Sequence, residues 1–113
     1  MDAINVYERY FTAELTANGV ERRAAKVYLT VESGGGHVRY EAGVTFFPHR
    51  DEEDYAVSYD ACYTKVLFDE KGRRSKNRDR LFLSGLKEEI NALSEEAGGT
   101  VYWDRPLRAP RFG

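Results

Sequence analysis

The 113-residue sequence predicts an α+β fold of order α-β-β-β-α-β, in which a three- to four-stranded antiparallel sheet carries two helices on one face. Two observations predict this fold. Runs in the middle of the chain alternate between apolar and polar residues, which is the period of half-buried strands. Segments on either side of them repeat apolar residues three and four positions apart, which is the spacing of amphipathic helices.

The first helix is predicted over about residues 3–17. Asp2 can cap its start, and Asn18-Gly19 can end it through a left-handed residue. Its apolar residues form a single helical stripe: Ile4, Tyr7, Phe11 and Leu15.

A β-hairpin is predicted for residues 25–46. Two alternating runs flank the flexible turn Ser33-Gly34-Gly35-Gly36, and Pro48 ends the second run. One parity predicts the core face: Ala25, Val27, Leu29, Val31, Val38, Tyr40, Ala42, Val44 and Phe46. The alternate residues of the hairpin, together with Ser58 and Asp60 of the third predicted strand, are expected to form an open polar and aromatic face. These residues are Tyr28, Thr30, Arg39, Glu41, Thr45, Ser58 and Asp60.

The third strand is predicted from Tyr55 to Phe68. Its apolar residues change parity between Tyr63 and Val66. Because one extra residue turns the following side chains to the other face, a β-bulge is expected near Thr64-Lys65.

The second helix is predicted to begin after a capping Ser75 or Asn77 and to end at Gly98-Gly99. Its apolar stripe is Phe82, Leu86, Ile90, Leu93 and Ala97. A short strand at residues 100–103 follows, and a right-handed crossover would place it parallel to the third or the first strand.

Composition predicts one soluble domain over residues 1–103, followed by an irregular basic tail at 104–113. Hydrophobic residues make up 42% and charged residues 32%, as in ordinary globular proteins. A lone cysteine cannot form an internal disulfide. The sequence shows no export signal and no apolar run of membrane-spanning length, so we expect a cytoplasmic protein without a membrane partner.

No catalytic, metal-binding or cofactor-binding pattern is present, and the sequence therefore predicts a protein that is not an enzyme. Cys62 with His37 or His49 is the only combination of nucleophile and base. Cys62 falls in the middle of a predicted strand, which is typical of a packing role. The two histidines and the cysteine lack zinc-ligand spacing.

An acidic run and an exposed tyrosine indicate a protein partner. Asp51, Glu52, Glu53 and Asp54 would offer a docking patch to a basic surface. Tyr28 has the parity opposite to the core residues of its strand and would add an aromatic contact. In size and composition the chain is comparable to toxin-immunity proteins, antitoxins and phage-encoded inhibitors of bacterial defence. We therefore expect an inhibitor or immunity-type protein that binds a protein partner.

A basic run supports an alternative. Residues 65–80 hold seven basic and three acidic side chains, although the whole chain has a net charge of −2. The predicted helix-strand-strand-strand-helix order over residues 1–97, with Ser75-Lys76 at the basic start of the second helix, resembles the double-stranded RNA-binding domain. The resemblance implies phosphate contacts by four residues: Arg73, Arg74, Lys76 and Arg78.

A third kind of partner is a second copy of the chain. The outer edge of a terminal strand exposes unpaired backbone groups, and such an edge can pair with the same edge of another copy. The sequence leaves the protein partner, the nucleic acid and the homodimer as open alternatives.

Overall fold

The computed structural model describes residues 2–48 and 61–107, which form one five-stranded antiparallel sheet and two helices. The elements are β1 (Asp2–Ala17), β2 (Val20–Gly34), β3 (His37–Phe47), β4 (Ala61–Lys71), α1 (Lys76–Ser84), α2 (Leu86–Ala97) and β5 (Thr100–Pro106). The strand order in the sheet is β4-β3-β2-β1-β5.

The predicted order α-β-β-β-α-β is wrong, because the first element is the strand β1. Its pairing with β2 shifts twice, between Asn5 and Tyr7 and between Thr12 and Leu15. Each shift places an extra residue in β1, which changes the parity of the side chains that follow. Ile4 and Tyr7 therefore lie on the same face although they are three residues apart. The bulge between Asn5 and Tyr7 thus allows the one three-residue step, and the four-residue steps that follow it are even, so a strand shows the apolar spacing of a helix.

The turn that joins β1 to β2 is Asn18-Gly19. Both residues have positive φ, 52° and 76°, as a type I′ hairpin turn requires. We predicted that this pair ends a helix, and it instead reverses the chain between two long strands.

The hairpin of β2 and β3 is confirmed. The two strands pair without a register shift from Ala24 opposite Phe47 to Gly34 opposite His37. Gly35 and Gly36 form the turn, with φ of 61° and 78°.

The outer strands differ from the prediction in two respects. β4 pairs antiparallel with β3, and its register shift lies opposite Tyr40 and Glu41, so that Leu67 rather than Thr64-Lys65 is the extra residue. β5 pairs antiparallel with β1, not parallel to the first or third strand. It can do so because β1 is a strand and offers an edge. The sheet consequently has five strands rather than three or four.

Two helices stand where one was predicted, because the chain breaks at Gly85. The side chain of Ser75 caps α1 by accepting from the backbone N–H of Arg78 at 3.1 Å, and Gly98 ends α2 with a φ of 84°. α2 buries Leu86, Ile90 and Ser94, whereas α1 has no buried residue.

The core lies between α2 and the face of the sheet that the apolar parity predicted. Leu86 and Ile90 join the buried residues of β1, β2, β3 and β5 in one cluster. On the opposite face the polar and aromatic residues are half-buried among their neighbours, and no described helix covers them. We call this the open sheet face: Tyr10, Lys26, Tyr28, Thr30, Arg39, Glu41, Thr45 and Phe47 of β1 to β3, and Cys62 of β4. Ser58 and Asp60 lie outside the described residues.

Candidate protein-interaction surface

Tyr28 is seated on the open sheet face above Gly43. The two residues are direct partners in β2 and β3, and a Cβ on Gly43 would lie 2.2 Å from the Tyr28 Cζ atom. The ring therefore needs a glycine beneath it. The hydroxyl lies 3.3 Å from Cys62 Sγ, and Lys26 Nζ lies 5.5 Å from the ring centroid. Burial, and then the hydrogen bond with Cys62, raise the pKa of Tyr28 to about 12.

Arg39 holds a charged network at the other end of the open sheet face. Its guanidinium lies 3.5 Å from a Glu32 carboxylate oxygen and 3.4 Å from one of Glu41. Asp69 of β4 lies 3.9 Å away and is also hydrogen-bonded to His37. One guanidinium thus faces three carboxylates, so the carboxylates outnumber the guanidinium in this network.

A groove lies on the helix side of the sheet, between the terminal strand β4 and the helix pair. Its volume is about 410 Å³. We call it the β4–α1 groove, and its lining residues are Lys65, Val66, Leu67, Leu81, Phe82, Gly85 and Glu89. An ion pair of 2.7 Å between Lys65 Nζ and Glu89 Oε1 joins its strand wall to its helix wall.

Apolar side chains are exposed in and beside this groove. Leu81 is 63% exposed and Leu83 37%. Val66 is 41% exposed, but it pairs with Glu41, so its side chain lies on the open sheet face. Scattered exposed leucines are common, but a group of them around a concave surface is typical of an interaction site.

A polar anchor holds α1 against the sheet. The Tyr40 hydroxyl donates a hydrogen bond to Asp79, and Arg74 Nη2 donates to the same carboxylate at 2.9 Å. Burial disfavours the charged carboxylate, but the hydrogen bonds from Arg74 and Tyr40 outweigh it and hold the pKa of Asp79 below its ordinary value. Burial, and then the bond to Asp79, raise the pKa of Tyr40 to about 12.

Aromatic contacts complete the attachment of α1. The Phe82 ring lies 4.7 Å from that of Tyr40 and 5.8 Å from that of Phe68, centroid to centroid. Arg78 lies over Phe68 at 4.8 Å and donates to the Arg73 carbonyl at 2.9 Å. α1 therefore uses one side for attachment and leaves Leu81 on the other.

The four basic residues predicted to contact phosphates divide into two pairs. Arg74 and Arg78 are engaged in the attachment of α1. The side chains of Arg73 and Lys76 are exposed and have no partner among the described residues. The resemblance to the double-stranded RNA-binding domain loses its basis, because it required a helix where the structure has β1.

The structure places Cys62 and His37, the described candidates for nucleophile and base, far apart in the sheet. Cys62 is opposite Thr45, whereas His37 is opposite Lys71, nine residues farther along β4 and roughly 30 Å away at the rise of a strand. Within residues 2–48 and 61–107, no group of three or more His, Cys, Asp or Glu side chains could hold a metal ion. No described helix is long and apolar enough to cross a membrane.

Two predicted features lie outside the described residues: the acidic run Asp51, Glu52, Glu53 and Asp54, and His49. Sequence reasoning missed the exposed leucines. A signal for them existed, because the predicted stripe through Phe82, Leu86 and Ile90 leaves Leu81 and Leu83 off the buried side of the helix.

Comparison with protein-family models, with curated proteins and with solved structures gives no match. The surface described above therefore has to be interpreted from its own chemistry.

Proposed function

We propose that this chain is a non-enzymatic protein that binds a protein partner through the β4–α1 groove. The single observation that carries the proposal is the exposure of Leu81, at 63%, in this groove. Covering such side chains removes apolar surface from water, which is the main driving force of protein association.

The attachment of α1 to the sheet supports the proposal. Asp79 and Phe82 fix α1 to β3 and β4 through the polar anchor and the ring contacts. A surface that is already ordered loses less conformational freedom when it binds.

An inhibitor or immunity-type role in the cytoplasm is part of this proposal, and it is supported only by the chain's size and composition. Tyr28 and the acidic residues 51–54 stay predicted as further contacts. Tyr28 already has a packing role over Gly43, so its loss would affect the sheet as well as a partner.

The experiment is affinity capture from the source cells with the tagged full chain and two variants. Leu81→Asp places a charge in the groove, whereas Ile4→Asp makes the same change at a residue of β1 that is 44% exposed. We expect the wild type and Ile4→Asp to retain the same protein and Leu81→Asp to lose it, with all three chains folded by circular dichroism. Capture that is equal for all three would refute the groove as the site.

Nucleic-acid binding is the second candidate, because Lys71, Arg73, Lys76 and Arg80 are exposed and without partners in the described part of the chain. Phosphate binding by these residues would weaken steeply with salt. Titration of duplex RNA and duplex DNA at low and at moderate salt tests it. Absence of binding at low salt would eliminate this candidate.

A further inference from the structure

β4 is a terminal strand whose outer edge is unpaired in the described part of the chain. It pairs with β3 on one side, and no described strand pairs with its other side. Unpaired backbone N–H and C=O groups on such an edge can accept a strand from another molecule. The register shift at Leu67 interrupts the edge, so its regular part consists of residues 61–66.

Side chains alternate between the two faces of the sheet along this regular part. Tyr63 and Lys65 are opposite buried residues of β3, so they point to the helix side. Cys62, Thr64 and Val66 alternate with them and therefore point to the open sheet face. The regular part of the edge thus has an aromatic and a basic side chain on the helix side, and small or apolar side chains on the other.

Exposed apolar side chains flank the edge on both faces of the sheet. Val66 is 41% exposed on the open sheet face, and Leu81 is 63% exposed in the β4–α1 groove on the helix side. A molecule that docks on one face would cover one of them and leave the other in water. A strand that extends the sheet at β4 has side chains on both faces and can cover both.

The regular part of β4 has the sequence that such a strand needs. Two identical strands can pair antiparallel about a two-fold axis that keeps the helices of both copies on one side of the sheet. With Thr64 on this axis, Tyr63 of the second copy lies opposite Lys65, at the open side of the groove, where its ring can cover Leu81. On the open sheet face, Cys62 of the second copy lies opposite Val66 and covers it.

Charge and length favour an axis at Thr64 over its neighbours. Lys65 is the one charged residue of residues 61–66, and Glu89 of the same chain pairs with it at 2.7 Å. An axis at Lys65 would place two lysines opposite each other, which is destabilising. An axis at Tyr63 would leave Val66 without a partner in the regular part. An axis at Thr64 places each lysine opposite a tyrosine ring, and a cation over such a ring is favourable.

We propose that the protein partner at the β4–α1 groove is a second copy of the chain, and that the two β4 strands pair antiparallel about a two-fold axis at Thr64. This inference rests on the proposed function and names its partner. The protein captured from the source cells is then an untagged copy of the chain. The pairing joins two open sheet faces into one continuous surface, on which Tyr28 stays available for a further contact.

Sedimentation of the purified full chain over a range of concentrations tests the pairing. We expect a dimer for the wild type, and for Leu81→Asp a dissociation constant on the order of tenfold or more higher, because the new charge faces the tyrosine ring of the second copy. Ile4→Asp makes the same change on β1, three positions from β4 in the sheet, and should leave the constant unchanged. A wild-type chain that is monomeric throughout, or a dimer that Leu81→Asp does not weaken, would overturn the inference.

Disulfide cross-linking tests the register. Val66→Cys places a thiol opposite the native Cys62 of the second copy, and we expect a covalent dimer on a non-reducing gel after mild oxidation. The two thiols of one chain are four residues apart on β4, roughly 13 Å at the rise of a strand, and cannot bridge each other. For the same reason the wild type, and Val66→Cys combined with Cys62→Ser, should stay unlinked.

Ile4→Cys is the matched control for cross-linking by random collision, because Ile4 is 44% exposed and Val66 is 41% exposed. It should give little covalent dimer under the same oxidation. Equal cross-linking of Ile4→Cys and Val66→Cys would overturn the pairing of the β4 edges, even if the purified chain is a dimer.

The identity of the captured protein separates this inference from the proposed function. If Leu81→Asp abolishes the capture of a different protein and the purified chain is monomeric, the inference fails and the proposed function stands. If the captured protein is the chain itself and Leu81→Asp abolishes its capture, both stand. Capture that does not depend on Leu81 would refute both.

Discussion

The two helices are separated by one residue, Gly85, and are attached to the sheet in different ways. α2 places Leu86 and Ile90 in the core, where they are 3% and 0% exposed. α1 buries nothing completely and depends on the hydrogen bonds of Asp79 and on the partly exposed ring of Phe82. Its most exposed apolar side chain is Leu81, at 63%.

This difference separates a helix that stabilises the fold from one that presents a surface. The hydrophobic effect holds α2 on the sheet, because Leu86 and Ile90 are buried in the core. They are therefore not available to a partner. A few directional contacts hold α1, which leaves its leucines and bases available to a partner. We expect substitutions in α2 to act on global stability, and substitutions in α1 to act on local order and binding.

Truncation of a core residue of α2 should have the largest effect. Ile90→Ala leaves a cavity at a fully buried position, and we expect the free energy of unfolding to fall by about 3 kcal/mol. Urea unfolding followed by circular dichroism measures it. A loss below about 1 kcal/mol would mean that α2 is not part of the core.

Removal of the charge at the polar anchor should have an intermediate effect. Asp79→Asn weakens hydrogen bonds to an ionised group, and we expect a loss of about 2 kcal/mol near neutral pH. Because the folded protein lowers the pKa of Asp79, its stabilisation is present above the ordinary carboxyl range and disappears as pH falls through the folded value. The difference between wild type and variant should therefore shrink in acid. A difference that is constant from neutral pH to about pH 3 would contradict this assignment.

Loss of the Tyr40 hydroxyl should cost less, about 1 kcal/mol, because Arg74 still pairs with Asp79 in Tyr40→Phe. The pKa of Tyr40 is raised to about 12, so its stabilisation is complete below about pH 10 and is lost as pH rises toward 12. The deficit of the variant relative to wild type should thus narrow above about pH 10. Unfolding free energies measured at increasing alkaline pH test this. A deficit that widens there would contradict the raised pKa of Tyr40.

Truncation of the exposed leucine should have the smallest effect on stability. Leu81→Ala is expected to change the free energy of unfolding by no more than about 0.5 kcal/mol. Leu86→Ala, five residues away, is the matched variant and should cost several times more. Similar losses for the two leucines would contradict the distinction between the helices.

The strands β2 and β3 could be predicted from the sequence because their alternation is regular and their turn is rich in glycine. β1 could not, because the bulge between Asn5 and Tyr7 adds a three-residue step to four-residue steps, which together give helical spacing. Asn18-Gly19 between alternating runs was the available warning, since this pair is typical of a hairpin turn. Because β1 was predicted as a helix, the predicted sheet lacked the strand with which β5 pairs. The antiparallel pairing of β5 with β1 could therefore not be anticipated.

The candidate site was harder to predict from the sequence than the fold. The helical stripe shows that Leu81 is not in the core, but the groove depends on the contact between β4 and α1, which no local pattern contains. The sequence alone does not show which of the four predicted phosphate-binding residues form ion pairs: Arg73, Arg74, Lys76 and Arg78. Only the folded chain shows that Arg74 pairs with Asp79 and that Lys76 has no partner among the described residues.

Amide hydrogen exchange of the full chain, alone and bound to the protein that it captures, tests the central claim most directly. We predict that binding slows exchange in Ala61–Val66 of β4 and in α1, and leaves the amides around Tyr28 on β2 unchanged. Protection confined to β2 and β3 of the open sheet face, or to residues 51–54, with α1 unaffected, would contradict the assignment of the β4–α1 groove as the binding surface.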